Sequence, residues 1–395
     1  MINPYIVIPN LIEQPTWGGD YIIRTKKITN PSIAQKRIGQ SYELYHKTNL
    51  SIKHSTEHLP SLELGSSADP SRAKLLSTND KPMSINQLIK KDAQATLGSK
   101  ALKVHGKKMN ILIKFTQAKG NSYQIHIKRG VKSSTWEAKP ESWYYFEPGV
   151  VTLGVKQGAD WRKYGQICKL INRKAIEISR KIRLGRLELT QGKNDLRQII
   201  KSHNPEQFVN VLKIKKDQAI DLSSGGVQHS WEENHHYAPN GNIVYEVQLN
   251  VFDPVSTIRS FDKGKIKDDG SVREIHIDDY FKFIDRGKKA NEPNTHFRSG
   301  RILMSSSQAL VKQIFKTPDY SLQEITVSKA TRNNYTTPKG TFHHLFVRKG
   351  SIDLRTVNQT WVITNGYAIF IPASTGSYTI TPHKVNTATV LKTFV

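Results

Sequence analysis

The chain has 395 residues, of which 37% are hydrophobic and 9% aromatic, enough for two or three domains with cores of their own. It carries 59 Lys and Arg against 33 Asp and Glu, a formal charge of +26 that favours anionic partners and says nothing about fold. A single cysteine, Cys168, excludes a disulfide framework within the chain, and no stretch approaches the ~20 apolar residues of a membrane span. The start, "MINPYIVIPNLIEQP", lacks the basic and then apolar run of a signal peptide, so an unprocessed, soluble, cytoplasmic protein is expected, with no membrane partner. Along the first half, "PYIVI", "YIIRT" and "SYELY" read as short β runs, and a polar stretch from Lys47 to Asp80 reads as a long loop. "SINQLIKKD" has helical spacing, and "NILIKF", "YQIHI", "SWYYFE" and "VVTLGV" return to β sequence.

The pattern changes at Gly158. From Asp160 to Leu212, residues Trp161, Tyr164, Ile167, Ile171, Ile178 and Ile182 recur at helical intervals, and Asn204, Pro205 and Gln207 read as the start of a last helix. "LKIKK", "AIDLS", "IVYEVQL" and "REIHI" then read as strands, and from Thr317 onward short β runs follow one another to the end. The expected fold class is mainly β, with two sandwich- or barrel-type domains and an α-helical insertion. Residues 1–157 and 216–300 would form one domain, 158–215 the insertion and 301–395 the second domain.

Within "GNSYQIHIKRG", Ser122, Gln124 and His126 alternate with Tyr123, Ile125 and Ile127, so the three polar side chains share one face of a strand. Such a face meets water or forms a site. Lys139 and Glu141 alternate likewise in "AKPESWYYF", His229 ends "SSGGVQH", and Glu246 and Gln248 share a face of "YEVQL". Gln124, His126, Glu141 and His229 together would suit a divalent transition metal such as zinc.

Several motifs carry a family resemblance, in order, from residue 15 to residue 278. "PTWGGDYI" resembles an opening Trp-Gly-Gly, "GQSYELY" a Gly-Glu-Ser-Trp-Glu segment and "SINQLIKKDAQATLG" a Leu-Asp-Glu-Leu helix ending in Leu-Gly. "ILIKFTQAKGNSYQIH" is similar to a Leu-Ile-Lys-Phe-x-x-Ala-Lys strand leading into Ser-x-Gln-x-His. "KPESW", "SGGVQH", "TIRSFDKGK" and "REIHID" match later segments. The sequence resembles the class I mannose-6-phosphate isomerases, zinc-dependent enzymes of the cupin group, and the resemblance implies a mainly β fold of two cupin-type jelly-roll domains with an α-helical insertion.

That resemblance implies one zinc ion per chain on Gln124, His126, Glu141 and His229, and a small sugar phosphate as substrate. It implies catalytic roles for Arg259, Lys139 and Glu246, and phosphate contacts from Ser122 and Lys265. The activity would be the interconversion of mannose 6-phosphate and fructose 6-phosphate through a cis-enediol, with Lys139, Glu246 or metal-bound hydroxide as the base. The alternative is a cupin-fold protein that binds a sugar phosphate or nucleic acid without catalysis.

Two His pairs, His235–His236 and His343–His344, are not expected to chelate, because neighbours in a strand face opposite ways. The basic run "INRKAIEISRKIRLGR" lacks interleaved aromatics, so a nucleic-acid partner is not expected despite the charge. Two departures from the family pattern concern the site. "IKRG" stands where the family continues Pro-Asp-Asp, and the segment between Glu246 and Arg259 is about three residues longer. "NGYAIFIPAS" resembles the second cupin motif without its His-x-His, so the C-terminal domain is expected to lack metal.

Overall fold

Among the described residues, four β-sheets stack face to face as layers. The computed structural model describes residues 2–57, 59, 62–66, 74–75, 82–305, 309–328, 333–336 and 340–395. The first layer has five strands, in the order Val209–Ile214, Gly149–Val155, His229–Trp231, Tyr123–Ile125 and Ile258–Phe261. It faces a nine-stranded sheet centred on Glu141–Tyr145, Asn242–Leu249, Ile111–Ala118 and Ile38–Leu44. The third layer, also nine-stranded, is centred on Ser321–Ser328, Thr387–Phe394, His343–Lys349 and Ala368–Ile371. Its far face is covered by a four-stranded sheet containing Ser351–Arg355, Thr360–Thr364 and Ser377–Pro382.

Alternation along the central strands assigns each side chain to a layer boundary. In the second layer Ile111, Ile113, Phe115, Ile243, Tyr245 and Val247 face the third layer, where Phe346 lies 5.6 Å from Phe115 and 5.2 Å from Tyr245 between ring centres. The intervening residues Lys114, Thr116, Glu246 and Gln248 face the first layer instead. Both nine-stranded sheets are thus covered on both sides, which is why their strands read as nearly continuous buried runs.

The mainly β expectation holds, with corrections to particular elements. "YIIRT" is part of a helix, Tyr21–Lys26, rather than a strand; Ile22, Ile23 and Lys26 are buried on one side, and Lys27 ends it in the left-handed region at φ 52°. Helical structure ends before Leu212. Pro205–Phe208 makes a single tight turn, and Val209–Ile214 then forms an edge strand, its β-branched residues fitting a pleated surface better than a helix. "REIHI" is not a strand, and its last residue begins the helix Ile277–Phe283. The expected loop from Lys47 to Asp80 contains strands Asn49–Ser51, Glu63–Ser66 and Lys74–Leu75, and its remainder lies partly outside the described residues.

Segment limits also need correction at the N-terminus. Tyr5–Ile8 pairs with Ala368–Ile371 in the third layer, and Asn10–Glu13, just past Pro9, pairs with Ile38–Leu44 in the second. The first strand therefore completes the C-terminal sheet rather than the unit that 1–157 would define. Between the expected limits 158 and 215, two helices occur, Trp161–Arg183 and Leu189–His203; Asp160 caps the first by accepting from the Lys163 amide at 2.9 Å. No helix among the described residues is long and apolar enough to cross a membrane.

Candidate metal centre

The strand Tyr123–Ile125 runs between two partners whose register aligns three of the expected residues. Gln124 lies opposite His229 on one side and opposite Arg259 on the other. Directly opposed residues point to the same face, so His229, Gln124 and Arg259 form a row across the sheet, with Ser122 and His126 two positions along the chain on either side. The facing sheet answers with two rows of its own. Glu141 is opposite Gln248, and Trp143, Glu246, Lys114 and Tyr42 follow one another across four strands.

Between these faces His126, Glu141 and His229 converge, with one potential ligand atom from each lying within 4.8 Å of the others. All three are buried. The tautomers follow from their partners, because a carbonyl can only accept. His126 Nδ1 donates to the Ser256 carbonyl at 2.7 Å, and His229 Nδ1 donates to the Val227 carbonyl at 2.8 Å. Each ring therefore presents an Nε2 lone pair to the centre. His126 Nε2 faces the Glu141 carboxylate at 3.2 Å, and the buried His229 Nε2 has no hydrogen-bond partner among the described residues.

Burial, reinforced by neighbouring His126 and Lys139, pulls His229 down to about 3, and burial with Lys139 lowers His126 as well. Burial alone would raise Glu141, but His126, Lys139 and His229 hold it below the usual carboxylate range. Two neutral imidazoles and a carboxylate thus aim lone pairs at one point, an arrangement that a cation relieves. The backbone carbonyls behind both rings and the Trp143 indole N–H on Glu141 Oε1 fix the ligand orientations. Gln124, the fourth expected ligand, adjoins His229 by register, and its Oε1 lies 3.5 Å from Ser122 Oγ.

The other expected residues surround this centre. Lys139 Nζ is 3.8 Å from Glu141 and donates to Asp253 Oδ1 at 2.8 Å. Glu246 accepts from Thr116 and lies 3.7 Å from Lys114 Nζ. Its pKa is raised by burial and by Glu141, while Lys114 opposes the rise. Arg259 donates to the Thr257 carbonyl at 3.2 Å, and its buried Nε has no partner among the described residues. Lys265 Nζ donates to the Gly120 carbonyl at 2.6 Å, two residues from Ser122, and burial pulls its pKa down to about 8.

Two side chains outside the expected set join the group. Lys114 was hidden in the apolar run "NILIKF", where a lone buried lysine facing the same way as Thr116 was the available signal. Asp253 comes from the longer segment before Arg259, and only the folded loop brings it to Lys139. The charge reversal in "IKRG" is compensated, since Lys128 pairs with Asp285 at 3.0 Å and Arg129 pairs with Asp319. Both His pairs lie apart from the centre: His343 bonds to the Tyr378 hydroxyl at 2.8 Å, His344 to the Glu43 carbonyl at 3.2 Å, and His235 sits on the surface beside Glu233. Among the described residues, no other cluster of His, Cys, Asp and Glu could hold a metal ion.

No family model matches this sequence, and no curated protein does. Solved structures do match. Mannose 6-phosphate isomerase from Bacillus subtilis is 16% identical and superposes with a TM-score of 0.66, covering 99% of both chains. A zinc-bound mannose 6-phosphate isomerase is 13% identical with a TM-score of 0.63, again over 99% of each chain. A variant of phosphomannose isomerase from Salmonella typhimurium is 14% identical with a TM-score of 0.62 and the same coverage. At these identities the likeness establishes a shared fold over the whole chain, and the function has to be argued from the site.

Proposed function

We propose that the chain is a metal-dependent aldose–ketose isomerase acting on a sugar phosphate, with zinc held by Gln124, His126, Glu141 and His229. The observation that carries this reading is the pair of Nε2 lone pairs facing the Glu141 carboxylate, with His229 Nε2 unpartnered among the described residues. The full-length fold shared with zinc-bound mannose 6-phosphate isomerase supports it. Mannose 6-phosphate and fructose 6-phosphate are the substrates proposed.

In this reaction a base removes the C2 proton of the aldose while the aldehyde oxygen gains one, giving a cis-enediol. Return of a proton to C1 and loss of the O2 proton then give the ketose. A bound zinc ion supplies fixed positive charge beside the sugar oxygens on which negative charge develops. Arg259, with its Nε free of partners among the described residues, would supply a second positive group from the neighbouring strand position. Ser122 and Lys265 would hold the phosphate, whose binding energy positions the reacting carbons. Lys139 and Glu246 are the two side-chain candidates for the base. Glu246 is a buried carboxylate whose pKa is raised by burial and by Glu141, and Lys139 is fixed in position by donating to Asp253 Oδ1 at 2.8 Å.

The test is exchange of the C2 proton. In deuterated water, zinc-loaded protein should wash deuterium into the sugar phosphate and form the ketose, and chelation should stop both. Binding of the sugar phosphate without exchange would sink the isomerase reading and leave a binding protein.

A further inference from the structure

The outer face of the helix Trp161–Arg183 takes no part in the metal centre, yet it concentrates much of the molecule's charge. Residues 158–203 hold twelve Lys and Arg against four Asp and Glu. The helix buries Tyr164, Cys168, Ile171, Ala175 and Ile178. Opposite that stripe, Arg162, Lys169, Arg173 and Arg180 succeed one another at steps of seven, four and seven residues, which keeps them in one exposed row. Lys163, Lys174 and Lys181 make a second exposed row beside it.

Lys169 is paired with Asp278, and Lys174 and Lys181 share Glu177. Arg162, Lys163, Arg173, Arg180 and Arg183 have no ion pair among the described residues. Exposed Arg186, Arg197 and Lys201 extend the basic surface through the turn and onto the second helix. At ~1.5 Å per residue the Arg162–Arg180 row is ~27 Å long, and a nucleic-acid strand with ~3.4 Å between phosphates lays about eight of them along that length.

We propose that this face binds the phosphate backbone of a nucleic acid by charge, without reading bases. Guanidinium groups suit phosphate oxygens, and they dominate the row and its extensions. The missing aromatics that argued against a nucleic-acid partner exclude base stacking, but backbone contact requires none. A lipid surface fits less well. A helix lying in a membrane buries its apolar face among acyl chains, and here that face is committed to the protein interior. This inference stands independently of the isomerase reading.

The experiment uses the full chain and a fluorescein-labelled oligouridylate of about twenty nucleotides, followed by anisotropy from about 50 to 200 mM salt. Wild-type protein should bind with affinity falling steeply as salt rises. The fourfold variant Arg162→Gln, Arg173→Gln, Arg180→Gln and Arg183→Gln should bind at least about tenfold more weakly, with a log–log salt slope shallower by about 3, near 0.7 for each phosphate no longer neutralised. A control removing equal charge from exposed sites elsewhere, Lys90→Gln, Lys91→Gln, Lys100→Gln and Lys103→Gln, should stay within about twofold of wild type. All three proteins should give the same circular dichroism melt. Equal weakening in both variants would show diffuse attraction and overturn the proposal. So would no binding at the lowest salt, or binding to phosphatidylserine vesicles but not to RNA.

Discussion

The two pairs of facing sheets share a layered architecture and differ in what fills the space between them. Between the first and second layers stand Ser122, Gln124, His126, Glu141, His229, Lys114, Thr116, Glu246 and Gln248, all polar and nearly all buried. Between the third and fourth layers the corresponding space is filled by residues such as Ile352, Leu354, Trp361, Ile380, Leu345 and Val390. A buried polar interior is costly unless its groups are paired, and here it includes His229 Nε2 and both polar atoms of Gln248, which lack partners among the described residues. The lesson is a division of labour: the apolar pair supplies stability, and the polar pair holds the groups on which the proposed function rests.

Substitutions can break that contrast. The largest effect is expected at His229. His229→Ala should remove zinc and lower turnover by at least about a thousandfold while the chain stays folded, as isomerase assays with circular dichroism will reveal. The counterpart in the other pair, His343→Ala, should leave zinc content and turnover unchanged. Next, Arg259→Ala should lower kcat/KM by about a hundred- to thousandfold with zinc retained, which separates charge stabilisation from metal binding. In the apolar pair, Leu354→Ala should cost about 2–5 kcal/mol in denaturant unfolding without changing turnover per folded molecule.

Much of this contrast was legible in the sequence, for particular reasons. Alternation in "NSYQIHI" put Ser122, Gln124 and His126 on one face, and the ordered motifs supplied Glu141 and His229 from distant segments. The helix at Tyr21–Lys26 was not legible, because "YIIRT" is rich in β-branched residues and its helical burial depends on neighbours far along the chain. The strand Val209–Ile214 was obscured by a helix-start signal at Pro205 that closes only one turn. Asp253 and Lys114 join the site through loop folding and cross-strand register, neither of which a single strand's pattern encodes.

The smallest predicted effect concerns pH. Burial lowers Lys265 to about 8, so its ammonium is present below that pH and is lost above it. KM for the sugar phosphate should therefore stay level below about pH 8 and rise up to about tenfold per unit above it. Lys265→Met should raise KM at neutral pH and flatten that rise.

The central claim is that His126, Glu141 and His229 hold one metal ion between the polar sheets. Elemental analysis of dialysed wild-type protein and of the Glu141→Ala variant tests it directly. The account predicts about one zinc per chain in the first and essentially none in the second. Equal zinc in both proteins would contradict it.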